Sequence, residues 1–113
     1  MSMNLHVMGI REVVVVNTGK SEMQIIDFDL YQTPTNVTKK LLSSNDIAQA
    51  YRDWILKNKE TFEEEVYADD DFFCEGEIIG YRTVCYQDEH IKQFDKFIKE
   101  SKQEGYEIRF YEM

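Results

Sequence analysis

The sequence predicts an α+β fold, and three observations carry that prediction. A valine run near the N-terminus is followed by turn residues and a cleanly alternating second segment, which together read as a hairpin. Two later stretches carry apolar residues at helical spacing, Ile47 to Ile55 and Ile91 to Ile98. The segments after each of those stretches are again rich in β-branched and aromatic residues. The predicted order is ββααβαβ over residues 1–113 as one domain, with a mainly antiparallel sheet of about four strands. Two or three helices pack on one of its faces.

Met3 to Asn17 reads as extended, because the run Val13 to Val16 favours strand over helix. Asn17-Thr18-Gly19-Lys20 supplies turn chemistry. In the second strand, Met23 to Tyr31, Ile26, Phe28 and Leu30 share one face, while Ile25, Asp27, Asp29 and Tyr31 share the other. Pro34 cannot donate to a ladder and ends that strand. Thr35 or Asn36 is then placed to cap a short helix over Val37 to Leu42.

Ser43-Ser44-Asn45 offers a second cap. From there Ile47, Ala48, Tyr51, Trp54 and Ile55 form an amphipathic stripe that ends near Lys57 or Asn58. Acids that follow oppose the helix dipole, so a loop is expected up to Glu65 rather than more helix. Glu77 to Tyr86 reads as strand. Asp88 is expected to cap a helix lined by Ile91, Phe94, Phe97 and Ile98. Gly105 suits the residue after a helix end, and Tyr106 to Met113 closes the chain as a last strand.

Composition narrows the function. A 42% hydrophobic and 13% aromatic content belongs to a folded protein. No long apolar run or basic leader is present, and Cys74 and Cys85 make no disulfide framework, so a reduced, cytoplasmic setting is expected. A formal charge of −9 argues against direct contact with nucleic acid or anionic membrane.

That charge is confined. Glu60 to Glu77 holds nine carboxylates and no Lys or Arg, and the rest of the chain has thirteen acids against thirteen Lys and Arg. Phe62, Tyr67, Phe72 and Phe73 are threaded through the same segment, with Phe62 and Phe73 the best candidates for core residues. Concentrating like charges costs self-repulsion that dispersal would avoid, and exposed rings supply the material of binding hot spots.

The motifs for other chemistry fail on their spacing. Gly19-Lys20-Ser21 resembles the end of a phosphate-binding loop, but the required first glycine is Val14. A calcium loop starting at Asp69 would need different residues at Phe73, Cys74 and Gly80. Cys74, Cys85 and His90 match no zinc pattern, and His6 reads as a strand residue. Asp27 and Asp29 lie ~7 Å apart on a face read as solvent-facing. No catalytic residue, cofactor or metal is assigned.

The expected function is therefore a small acidic binding module, not an enzyme. It inhibits or escorts a basic, nucleic-acid-handling protein such as a nuclease, polymerase or DNA-binding protein, in the manner of a phage-type inhibitor that mimics a polyanion. The partner-binding residues are Glu63, Glu64, Glu65, Tyr67, Asp69, Asp70, Asp71, Phe72 and Glu75. A toxin-immunity inhibitor would use the same physics. The alternatives of other classes are a metal-dependent hydrolase using Asp27, Asp29 and Asp69 to Asp71, and an assembly subunit built through the C-terminal strand edge. Monomer and homodimer are both compatible with the sequence.

Overall fold

Residues 4–68 and 76–113 are described in a computed structural model of the chain. The strands and helices run β1 (Leu5–Val14), β2 (Ser21–Phe28), α1 (Thr35–Leu42), α2 (Ile47–Lys57), β3 (Phe62–Tyr67), β4 (Ile78–Val84), α3 (Tyr86–Gln103) and β5 (Glu107–Glu112). The α+β class and the order ββααβαβ hold, with one strand added. That strand, β3, lies where a loop was expected.

The strands form two antiparallel sheets rather than one. The larger has the order β2-β1-β5, and the smaller contains only β3 and β4. Central β1 pairs Val7 with Phe28 on one side and with Phe110 on the other, so three apolar side chains cross the sheet at one level. Along β1, Leu5, Val7 and Gly9 are buried and their neighbours are not, which is the period-two pattern of a sheet with one covered face. The two tight connections work as their glycines require: Gly19 and Gly105 have φ of 66° and 85°.

All three helices lie over the covered face. The core is Leu5 and Val7 from β1, Leu41 from α1, Tyr51 and Ile55 from α2, and Phe94 and Ile98 from α3. Trp54, Ile47, Ile91 and Phe97 pack around it, so both helical stripes read from the sequence are core stripes. Phe94 touches rings from three directions, with centroids at 5.2 Å to Tyr51, 6.0 Å to Phe28 and 6.4 Å to Phe110.

The helix starts differ from expectation in instructive ways. Helix α1 begins at Thr35 with Pro34 in the capping position and no side-chain cap. Its start is anchored instead by a buried pair, Thr33 and Thr38, whose hydroxyls hydrogen-bond each other. The Leu5 N–H also donates to Thr33 Oγ1 at 3.4 Å. Helix α2 is capped by Asp46, which accepts from the Gln49 N–H at 3.1 Å, one residue past the expected Ser-Ser-Asn cap. Helix α3 starts at Tyr86, with Cys85 in the capping position, three residues earlier than a cap at Asp88 would allow. Asp88 sits in its first turn, where an acid suits the dipole, and pairs with Lys59 at 2.6 Å.

Among the described residues, no helix is long and apolar enough to cross a membrane. Phe94, fully buried and shared by two helices and the sheet, is the residue whose truncation should cost most. Phe94→Ala is expected to lower unfolding free energy by about 3–5 kcal/mol, measured as a shift of the urea midpoint at unchanged slope.

Candidate partner-binding hairpin

Three consecutive glutamates have poor strand propensity, and by themselves they give no reason for β3 to exist. Pairing supplies the reason. The segment I-I-G-Y-R-T-V of β4 is β-rich and lies antiparallel to β3, with Phe62 opposite Val84, Glu64 opposite Arg82, Glu65 opposite Tyr81 and Val66 opposite Gly80. A register shift at Val66/Tyr67 then sets Tyr67 opposite Ile78. Tertiary pairing has overridden local preference here.

Alternation along β3 divides its side chains between two faces. Phe62, Glu64 and Val66 share one face with Arg82 and Val84. Arg82 donates to the Glu64 carboxylate from Nε at 2.8 Å and from Nη2 at 2.7 Å, so this face neutralises its own acid. Glu63, Glu65 and Tyr67 share the other face with Thr83 and Tyr81. Its rings are exposed: Tyr67 at 56% and Tyr81 at 64%. The Tyr67 hydroxyl donates to the Glu65 carboxylate, and this bond holds the phenol above its usual pKa. No Lys or Arg among the described residues pairs with Glu63 or Glu65.

The hairpin is tied to the rest of the protein at its root. Phe62 and Tyr86 rings lie 5.9 Å apart, the Glu60 N–H donates to Gln87 Oε1 at 3.3 Å, and Lys59 holds Asp88. Beyond the root, among the described elements, β3 and β4 pack substantially only on each other. The radius of gyration is accordingly 19.9 Å, against about 13 Å for a compact chain of this length.

Of the residues expected to bind a partner, Glu63, Glu64, Glu65 and Tyr67 are brought together on β3. Asp69, Asp70, Asp71, Phe72 and Glu75 lie outside the described residues, as does Phe73. Phe62, expected in the core, is instead 49% exposed at the hairpin root. Among the described residues, the two-stranded sheet contributes nothing to the core cluster and offers that ring no interior. Reasoning from sequence missed Ile78, Ile79 and Tyr81, which are exposed along β4. Their signal was present in the strand itself: apolar residues on both faces and no alternation to match a one-sided core.

Of the other candidate groups, Cys74 lies outside the described residues, and Cys85, His6 and His90 are structurally engaged. Cys85 occupies the position before α3 and lies 3.6 Å from Gln87 Oε1. His6 stacks on Tyr111 at 5.3 Å. Asp27 and Asp29 are exposed, as expected, beside a shallow depression that also touches His90 and Gln93. Among the described residues, no three His, Cys, Asp or Glu side chains are grouped to hold a metal ion. Comparison of the chain with protein-family models, curated proteins and solved structures finds no match.

His90 has a defined structural role. Its Nε2 lies 2.8 Å from the hydroxyl of buried Tyr51, which also accepts the Tyr31 N–H at 2.9 Å. Burial favours the neutral imidazole, and its tautomer sets which of the two groups donates in this contact. Rings of Phe28, Tyr31 and Tyr51 surround the imidazole at 5.4, 4.5 and 5.9 Å. Burial holds the His90 pKa below its ordinary 6.5, so the native state takes up this proton less readily than the unfolded chain. The stabilisation is complete above the unfolded value and is lost as pH falls from there toward the native value. Urea midpoints are expected to drop between about pH 7 and pH 5, and His90→Gln should flatten that part of the profile.

Proposed function

We propose that the chain is an acidic protein-binding module, without catalytic activity, that inhibits or escorts a basic nucleic-acid-handling protein. Its docking element is the β3–β4 hairpin, acting as a polyanion mimic in the manner of a phage-type inhibitor in the cytoplasm. The observation that carries this reading is the co-location of Glu63, Glu65 and Tyr67 on one exposed face of a hairpin that packs on little else. Acids two residues apart on a strand repeat every ~6–7 Å, a spacing of the same order as that of phosphates along a nucleic-acid strand. A cleft built to hold phosphates would meet carboxylates at similar intervals, and its cations would steer association. Tyr67 and Tyr81 add the aromatic area from which slow dissociation is built.

The test begins with affinity capture from a native lysate treated with nuclease, so that nucleic acid does not bridge the complex. Binding of the captured protein should weaken steeply as salt is raised. Glu63→Gln with Glu65→Gln should slow association by about tenfold with little change in dissociation. Tyr67→Ala should speed dissociation by about tenfold or more. Wild-type kinetics in both sets of variants would remove the hairpin as the interface.

A further inference from the structure

Among the described residues, four strands end a sheet with an unpaired edge: β2 and β5 in the larger sheet, and β3 and β4 in the hairpin. An open edge is a template for another strand, and proteins guard such edges with charge. Three of the four are guarded. Strand β2 carries Glu22 and Asp27, β5 carries Glu107, Arg109 and Glu112, and β3 carries Glu63, Glu64 and Glu65. Strand β4 carries one charge, Arg82, and Glu64 across the hairpin neutralises it. Its other residues are Ile78, Ile79, Gly80, Tyr81, Thr83 and Val84, with Ile79 and Tyr81 exposed at 67% and 64%.

We propose that β4 is the self-association edge of this protein and that its occupant is β4 of a second copy. The two copies pair antiparallel around a two-fold axis to form one sheet of order β3-β4-β4-β3. Three observations select this occupant. A two-stranded hairpin is at best marginal alone in water, and a sheet of four strands is not. The β4 edge is complementary to itself, as an isologous contact requires, because backbone donors and acceptors repeat along it and its side chains bring no uncompensated charge. The arrangement also puts each acidic β3 on an outer edge. At strand spacing the two glutamate runs are then separated by about 14 Å, beyond the ~8 Å screening length at physiological salt. Pairing through β3 would place them side by side.

This inference goes beyond the binding function proposed above and does not rest on it, although Tyr81 belongs to both surfaces. The two respond oppositely to salt. Capture of a basic protein weakens as salt rises, whereas two copies each carrying −9 associate more tightly once their repulsion is screened.

Sedimentation of the full chain from low micromolar to near-millimolar concentration should show a shift from 13.5 kDa to twice that mass. The midpoint should move several-fold lower as salt is raised. Tyr81→Lys and Ile79→Lys, which place a charge on each side of the seam, should remain monomeric at concentrations where the wild type is dimeric. Hydrogen exchange on the wild type reads the same edge without a substitution: amides of Ile78–Val84 should gain protection with concentration, and those of Glu107–Glu112 should not. A single-chain mass throughout the range, a dimer untouched by Tyr81→Lys in a folded variant, or protection gained on β5 instead would each overturn the proposal. Loss of basic-protein binding with self-association intact would count against the function proposed above and leave this edge assignment standing.

Discussion

Each β-strand has two edges of backbone hydrogen-bonding groups and two side-chain faces, and all must be satisfied by protein or by water. This chain meets that constraint with protein groups along one stretch. From Val7 to Ile10, strand β1 has neighbours on both edges, and helices cover one face, where burial alternates. The buried ring of Tyr51 then joins the layers, because its hydroxyl serves the Tyr31 N–H and the His90 imidazole at once. Strands β3 and β4 meet the constraint only in part. They pair with each other, and among the described residues neither adds a side chain to the core and each has one edge without a neighbour.

That incomplete solution is where the charge sits. Nine carboxylates in one segment repel one another, and the described structure relieves the repulsion at one place, the Glu64–Arg82 pair. Exposed ion pairs of this kind contribute little stability. Its larger effect is geometric: one face of the hairpin becomes balanced, and the other keeps Glu63 and Glu65 beside two tyrosine rings. In the function proposed above, acid and aromatic surface on the same face would supply both long-range attraction and short-range contact area.

Much of the large-sheet half was legible in the residues. The alternation of Ile26, Phe28 and Leu30, the stripe through Tyr51 and Ile55, and that through Phe94 and Ile98 each has a period that only one kind of element satisfies. Those faces are the ones the core buries. Helix starts were less legible. The sequence offers caps at Thr35 or Asn36, at Ser43 to Asn45 and at Asp88, but α1 is anchored by a buried Thr33–Thr38 pair, α2 by Asp46, and α3 begins at Tyr86. Several residues at each boundary can cap, and packing decides among them. The hairpin was half legible: Glu63 to Glu65 and Tyr67 were singled out as a binding surface, while their strand, their partner Arg82 and the exposed Ile79 and Tyr81 were not.

By itself the sequence determined the α+β class, the core stripes through Tyr51 and Ile55 and through Phe94 and Ile98, and the confinement of negative charge to one segment. Those properties follow from period and composition, which are local. Tertiary structure decided that β3 is a strand at all, that Glu64 is neutralised while no cation among the described residues pairs with Glu63 or Glu65, and that Phe62 stays outside the core. Each of those outcomes depends on which residue of β4 lies opposite which residue of β3, and cross-strand register is not a property of either segment alone.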